Sequence, residues 1–480
     1  MPSVKSWRSG AAGEPVFHSD FDILKHAVLQ NTDIRTNRNK YYAIELHQGT
    51  GDDGGQHGYR VFTHYGRTDD LETNPNAGVR ESRYHSTLSS AESNYNKIFR
   101  QKTSPRKGYK EVNLASSRIG SQKARGSSSG HIDQTTLQKI NTPEQDTPTR
   151  QPRRSTLSRG VQALVGELYQ AATHTLTTTI QARITANGIE TPLGVLTLGQ
   201  VDSGQAILDE VTTVFGQMQS SRRKASHATR LATLSGDFYT AIPHRLGRSR
   251  AAMQAAILDT KEELEQKQQT LQLMRDMLQV NGDTNVLFDP EVDKRYDALS
   301  CDVVDIASGS AEYRRIVQHI QGSLIKNKRI RVQNVFTLRR PSEHNDFDAT
   351  IGNEKLLMHG SRMHNWVGIL SRGILLPKTV VSLGGSRTDG GWLGHGIYFG
   401  DAACTSYYYT SPNSRGTRYI ALAGVALGRV KKYRKITYGL TSPPRGFDSC
   451  HGVRGSEFAD DEYVVYRTEQ QKLQYLVEVR

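Results

Sequence analysis

Three short segments in the last third of the chain carry residue types that could recognise a ligand or do chemistry. The first, Leu356-Leu357-Met358-His359-Gly360-Ser361-Arg362, sets an imidazole, a bare backbone and a hydroxyl within one turn of an apolar run. Such groups can recognise a ribose diol and an amide, although a histidine in an apolar run is often a satisfied core residue. The second, Gly394 to Asp401 (GHGIYFGD), is followed by Thr405-Ser406-Tyr407-Tyr408-Tyr409. Aromatics flanking a glycine-rich bend can form a stacking slot for a planar ring, with Ser406 bonding an amide edge; the same tyrosines can equally pack in a core. The third, Asp461-Glu462-Tyr463-Val464-Val465-Tyr466, puts an acid inside a β-like run. An inward carboxylate on a strand is costly unless it is paired or functional, and solvent-facing alternation is the other reading.

These segments need a scaffold, and from about residue 327 the pattern supplies one. Short β-like runs at Val332 to Leu338, Gly396 to Phe399, Ile420 to Leu427, Glu462 to Tyr466 and Leu473 to Val479 alternate with glycine-rich turns. The glycine density of Ser382 to Ser386 and Thr388 to Gly396 points to a backbone that approaches a ligand closely. This is the pattern of a mixed domain, and it holds the chemistry.

Upstream, residues 157–325 read as helical. Val161, Leu164, Val165 and Leu168 form an amphipathic stripe, and Ile257, Leu264, Leu271 and Leu278 recur every seventh residue with Met274 and Met277 on the same face. Three heptads are short for a dimerising coiled coil, so a core helix of a bundle is the expectation. Residues 15–115 read as mainly β: Tyr41 to Leu46 and Tyr59 to Tyr65 flank the turn GTGDDGGQHG, and Ala91 to Lys102 forms a helix with Tyr95, Ile98 and Phe99 on one side. Between these regions, residues 101–160 hold twelve Lys or Arg against four acids and are rich in Ser, Thr, Gly and Pro. That stretch reads as a solvated tether, one whose charge also suits a polyanion.

With 480 residues, more than one core is expected. The 36% hydrophobic content excludes wholesale disorder. Cys301, Cys404 and Cys450 are far apart with no CxxC, which excludes a disulfide scaffold and a cysteine zinc finger. The longest apolar run, about Tyr419 to Leu427, is too short for a membrane span, and the first residues lack a signal-peptide core. A soluble, intracellular, basic protein is expected.

Taken together, LLMHGSR, NWVGILSRGI, GHGIYFGD, TSYYY, ALAGVALG and DEYVVYRTEQQKLQYLVEV resemble, in order and spacing, the ADP-ribosyltransferase domain of the poly(ADP-ribose) polymerases. The resemblance covers residues 327–480 and matches the family's His-Tyr-Glu triad with His359, Tyr398 and Glu462. TPLGVLTLGQ, AILDEV, SGDFYTAIPH and FDPEVDKRYDAL look like the family's helical regulatory domain. YYAIELHQ, YRVFTHYGR and SSAESNYNKIF with KGYK look like a WGR domain, Tyr65-Gly66-Arg67 standing where Trp-Gly-Arg would be. The implied fold class is multidomain α+β: a mainly-β WGR domain at 15–118, a basic flexible linker at 119–156, an all-α helical bundle at 157–325 and a mixed α/β transferase domain at 327–480.

The resemblance also implies roles. Gly360 backbone groups and the Ser406 hydroxyl would hold the nicotinamide carboxamide, Tyr398 and Tyr409 would sandwich its ring, and His359, Ser361 and Asn365 would hold the adenosine ribose. Glu462 would bind the nicotinamide ribose and polarise the incoming nucleophile. The implied substrate is NAD+, with no metal; the implied partners are damaged DNA ends or nicks and acceptor proteins including the chain itself, with no membrane, in the nucleus of a eukaryote. Tyr65, Gly66 and Arg67 would serve DNA binding and interdomain coupling. The chain departs from its relatives in Tyr65, in Leu375 where an arginine is common, and in the six residues between Gly455 and Glu462.

Overall fold

Runs rich in β-branched and aromatic residues form long antiparallel strands at Phe21–Asp33, Arg38–Gly49 and Tyr59–Arg67. The computed structural model describes residues 4–51, 57–71, 73–126, 155–180, 183–185, 188–220, 224–279, 291–325, 329–376 and 391–480. It divides into two units, one made from the described residues of 1–145 and 176–278, the other from those of 146–175 and 286–480.

In the first unit, β1 (Trp7–Arg8), β2 (Phe21–Asp33), β3 (Arg38–Gly49), β4 (Tyr59–Arg67) and β5 (Val79–His85) precede helix α1 (Leu88–Thr103) and β6 (Lys110–Glu111). They make one sheet in the order β1-β5-β4-β3-β2-β6. Thr87 caps α1 by accepting from the Ser90 amide. Ala91, Tyr95 and Ile98 then pack on Leu29, Tyr42, Ile44, Leu46 and Val61 of the sheet, with Phe99 alongside. β7 (Leu114–Ser117) leaves this sheet.

Helix α2 (Arg159–Ile180) follows, then a hairpin of β8 (Arg183–Thr185) and β9 (Gly188–Glu190) and strand β10 (Gly194–Leu196). β7 pairs with β10, giving a four-stranded sheet ordered β7-β10-β9-β8. Three of its four strands, β8 to β10, lie inside the stretch expected to be wholly helical; all four are three or four residues long, too short to show a period of two. Helices α3 (Leu198–Ser220), α4 (Lys224–Ala241), α5 (Arg250–Gln254) and α6 (Lys261–Gln279) complete the unit. Leu264, Leu271, Met274 and Met277 of α6 are buried, as a core helix requires. The heptad overreached by one position, since Ile257 sits before the helix and its neighbour Leu258 is the buried residue.

α4 docks on the β2 end of the first sheet. The Thr32 amide donates to Thr240 Oγ1 at 3.0 Å, Asn39 Nδ2 donates to the His244 carbonyl at 3.1 Å, and a Cβ on Gly236 would meet the Thr32 carbonyl at 2.5 Å. The region expected as β and the region expected as helix thus share one packed unit.

The second unit holds the first part of α2, then α7 (Val292–Ala298), β11 (Asp302–Asp305), α8 (Ala311–Gly322), β12 (Val332–Arg339), α9 (Pro341–Asp346), β13 (Glu354–Gly360), α10 (Trp366–Arg372), β14 (Ile397–Gly400), α11 (Ala403–Tyr408), β15 (Arg418–Ala426), β16 (Val430–Tyr433), β17 (Ser449–Gly452), β18 (Glu462–Val465) and β19 (Gln471–Val479). Nine strands form one sheet ordered β11-β12-β19-β15-β13-β14-β18-β17-β16. Ile316 and Ile320 of α8 pack beneath it with Val335, Met358, Ile420, Leu422 and Val477. The sheet therefore begins at β11, within the stretch assigned to the helical domain. Asp-Val-Val-Asp buries only Val303, which leaves no alternation to read.

The linker expected at 119–156 starts as packed protein. Ile119 and Ala124 are buried, and Ser121 donates to the buried Glu45 carboxylate from both its amide (2.7 Å) and its hydroxyl (2.5 Å). The remainder of that linker, 127–154, lies outside the described residues. The Gly120 amide donates to His64 Nδ1 at 3.1 Å, while His64 Nε2 faces the Ala77 carbonyl at 2.8 Å. The ring is thus required neutral, and burial pushes its pKa down to about 4. In the unfolded chain it titrates near 6.5. The stability it contributes is complete above about 6.5 and is lost as the pH falls toward about 4. Urea unfolding across that window should cost the wild type roughly 2–3 kcal/mol more than His64→Gln; parallel losses would contradict the assignment.

Candidate active site

β13, β14 and β18 are neighbours in the sheet and bring the three expected catalytic residues together: His359 near the end of β13, Tyr398 in β14 and Glu462 at the start of β18. β14 and β18 are registered along their whole length, from Ile397 with Val465 to Gly400 with Glu462. β13 and β14 share a single registered pair, Met358 with Gly400. The ladder stops there, so His359 and Gly360 lie where β13 has parted from β14. His359 Nδ1–H donates to the Tyr398 carbonyl across the parting at 3.0 Å, since a carbonyl can only accept.

On the β13 side, a Cβ at Gly360 would sit 1.9 Å from the Ser406 carbonyl oxygen, so only glycine lets β13 approach α11 this closely. The Ser406 carbonyl also accepts from the Tyr409 amide at 3.1 Å, closing the helix. Ser406 is buried, and its Oγ lies 3.7 Å from where a Gly400 side chain would begin, the position registered with Glu462. Gly360, Ser406, Tyr409 and Glu462 are therefore linked by direct packing or register. Tyr409 keeps 37% of its surface exposed. Ser361 Oγ accepts from Asn365 Nδ2 at 3.1 Å just beyond the end of β13.

Tyr398 is clamped at its hydroxyl, which donates to the Gly394 carbonyl at 2.8 Å and accepts from the Leu393 amide at 2.9 Å. What it can offer a ligand is its ring. Gly394 has φ +79° and would carry any Cβ into the Leu440 backbone at 2.1 Å. The glycine density expected to admit a ligand thus serves, at Gly394, the approach of protein backbone. Residues 377–390, with the Ser382 to Ser386 cluster, lie outside the described residues, and Leu375 beside them is 39% exposed.

Glu462 is buried, and the two acids before it anchor its strand. Asp460 Oδ2 accepts from Thr405 Oγ1 of α11 at 2.8 Å; Asp461 Oδ1 accepts from His451 Nε2 at 2.6 Å and from the Arg454 amide at 3.1 Å. Burial opposes ionisation of Asp461, but the Arg454 amide and His451 outweigh it and hold its pKa below the usual carboxylate value. Burial and the adjacent Asp461 charge push Asp401 the other way. The His451 ring stacks on Tyr463 at 4.4 Å. Sequence reading singled out none of these supporting residues: Asp460 and Asp461 adjoin Glu462, but nothing in spacing signals His451.

In the first unit, Arg67 joins β4 to the loop after α4. Its Nε donates to Asp69 Oδ2 (3.0 Å), Nη1 to the Asn37 carbonyl (3.1 Å) and Nη2 to the Gly247 carbonyl (2.9 Å). Asp69 Oδ1 accepts from the Leu246 and Gly247 amides at 2.9 Å each. Asp69, unremarked in the sequence, is the second half of this junction. Gly66 sits against Tyr41 and Gly78. Tyr65 stacks on Tyr42 at 5.3 Å, donates to Glu81 Oε1 at 2.9 Å and lies under Lys102. Lys102, desolvated among these rings, has its pKa lowered to about 8.

Gly360→Ala should lower the urea stability of the chain by about 1–3 kcal/mol, because the clash is with backbone and cannot be relieved by a rotamer. An unchanged midpoint would contradict the packing of β13 on α11.

Three family models match the chain: the WGR domain at 25–116, the poly(ADP-ribose) polymerase regulatory domain at 155–285 and the poly(ADP-ribose) polymerase catalytic domain at 310–457, the last ending short of Glu462. The start of the catalytic match agrees with a sheet that begins upstream of 327. The chain is similar to the human protein mono-ADP-ribosyltransferase PARP4 (33% identical, 60% of this chain, 16% of that protein) and to poly [ADP-ribose] polymerase 2-A of Oryza sativa subsp. japonica (31%, 56% and 40%). It is also similar to human protein mono-ADP-ribosyltransferase PARP3 (24% identical, 95% of this chain, 87% of that protein). The first two relatives are matched over less than half of their own length. From three successive domain matches and the architecture that carries them, the chain belongs to the poly(ADP-ribose) polymerase family, with WGR, regulatory and catalytic domains in that order.

Proposed function

We propose that this chain transfers ADP-ribose from NAD+ to protein acceptors, itself included, and extends the product into polymer, with DNA strand breaks as the activating partner. The observation that carries the reading is the convergence of His359, Gly360, Tyr398, Ser406 and Glu462 around the strand parting beside Met358 and Gly400. The Gly360 backbone and the Ser406 hydroxyl hold the carboxamide, Tyr398 and Tyr409 offer ring faces to the nicotinamide, and His359, Ser361 and Asn365 hold the adenosine ribose. The bond from C1′ to the nicotinamide nitrogen breaks with its electron pair leaving on nicotinamide, and positive charge develops on the sugar. The Glu462 carboxylate stabilises that charge and orients the acceptor hydroxyl, whose oxygen forms the new bond to C1′ as its proton passes to that carboxylate.

DNA enters through the WGR domain, whose Tyr65 stack and surrounding basic residues suit a sugar–phosphate backbone. Arg67 and Asp69 carry the coupling, because they join β4 to the loop at Leu246 and Gly247. In a eukaryote the protein would work in the nucleus, in the response to DNA damage. A second reading, single ADP-ribose transfer, is favoured by the tight turn before Glu462, where Arg454 and Phe458 already form a β-bridge. Two similar proteins also bear the name mono-ADP-ribosyltransferase. An inert DNA-binding scaffold is the remaining alternative.

Automodification with labelled NAD+, with and without nicked or blunt-ended DNA, separates these readings. A DNA-stimulated high-mass smear is expected, with Glu462→Gln lowering turnover by about 10²–10³-fold. A single sharp band from the wild type would establish single transfer, and no label with DNA still bound would establish the scaffold. Arg67→Ala should bind the same DNA but lose most of its stimulation; full stimulation in that variant would remove Arg67 from the coupling.

A further inference from the structure

The far edge of the nine-stranded sheet carries a charge that the transfer chemistry does not use. β16 is its last strand and, among the described residues, pairs with β17 alone. From Gly428 to Asp448 the chain has six basic residues, Arg429, Lys431, Lys432, Arg434, Lys435 and Arg445, against the single acid Asp448. Arg429, Lys432, Arg434, Lys435 and Arg445 are exposed, and among the described residues none of the six enters an ion pair. Lysines on an edge strand are an ordinary guard against edge-to-edge pairing. Two features go beyond that guard. Large aromatics interleave the charge: Tyr438 is 69% and Phe447 36% exposed, with the Lys431 ammonium 5.4 Å from the Phe447 ring centre. Cations alternating with open rings suit a strand of linked phosphates and bases.

The second feature is continuity with the active site. The loop after β16 is pinned to the segment that clamps Tyr398: the Thr437 amide donates to the Trp392 carbonyl (2.8 Å) and the His395 amide to the Leu440 carbonyl (2.7 Å). Its other flank reaches the turn before Glu462, since the Ile436 amide donates to Glu457 Oε2 at 2.7 Å. β16 lies two strand spacings, about 10 Å, from β18. We propose that β16 and the 434–447 loop form a binding surface for ADP-ribose chains, holding phosphates on its cations and adenines on Tyr438 and Phe447 close to where such chains are made. The choice of ADP-ribose chains over nucleic acid rests on the transferase reading above and on this proximity to Glu462.

The test supplies the polymer from outside, so that it answers whether or not this chain makes polymer itself. A fluorescent ADP-ribose oligomer of roughly twenty units is titrated with the full chain across a range of salt concentrations. A single-stranded DNA of equal charge serves as the comparison. The variant Lys432→Glu/Arg434→Glu/Lys435→Glu should bind the oligomer about tenfold or more weakly, with a shallower salt dependence. Tyr438→Ser/Phe447→Ser, which leaves the charge in place, should lose several-fold with its salt slope unchanged. Binding of the DNA should change by less than about twofold in both. Oligomer affinity unchanged in the two variants would overturn the proposal, as would equal losses for oligomer and DNA, which would mark the edge as a general polyanion surface.

Discussion

Met358 and Gly400 form the one registered pair joining β13 to β14, and the rest of the catalytic unit is arranged around that junction. On one side β13 is locked into β15 by seven successive pairs, from Glu354 with Ala426 to Gly360 with Ile420. On the other, β14 is zipped to β18 through Gly400 and Glu462. Two half-sheets are thereby joined by one registered pair, and beyond it the His359 ring rather than a ladder bridges the gap to the Tyr398 carbonyl. A strand end whose amides and carbonyls are not consumed by a ladder is where a substrate amide can be recognised. The imidazole, the serine and the carboxylate are rigid because each sits on one of these half-sheets or on α11, wedged against Gly360.

The same logic of shared anchors appears in the first unit. Glu45 gathers the hydroxyl and amide of Ser121 and faces His47, fastening the chain after β7 to the centre of the first sheet. Thr32, Asn39 and Arg67 fasten the far ends of β2, β3 and β4 to α4 and the loop that follows. A ligand that strained β4 at Tyr65 would pull directly on Arg67 two residues on, and through it on Gly247. That is a physical route for coupling which needs no long-range wire, only a charged pair half-buried between two elements.

Much of the fold was legible because its signals are local. Aromatic and β-branched runs marked β3 and β4, short β-like runs marked β12, β14, β15, β18 and β19 of the large sheet, and the apolar stripes marked α1, α2 and α6. Elements of three or four residues, such as β8 to β11, carry too few positions to show a period, and their placement is decided by partners distant in sequence. Residues 119–126 looked like tether because six of the eight are glycine or polar, yet a buried carboxylate on β3 makes polar residues the right ones there. At the candidate site the triad was suggested only by family resemblance, since a histidine, a tyrosine and a glutamate each have an ordinary structural explanation when read singly. The residues that hold them, Asp460, Asp461 and His451, were hidden because hydrogen bonds between side chains leave no periodic trace.

On the proposed function, nicotinamide sits at the parting between β13 and β14. Amide hydrogen exchange of the full chain, with and without saturating nicotinamide, tests this without requiring turnover. Slowed exchange confined to peptides covering Met358 to Asn365 and Ile397 to Tyr409 is expected. Protection falling elsewhere, with both of those segments unchanged, would contradict it.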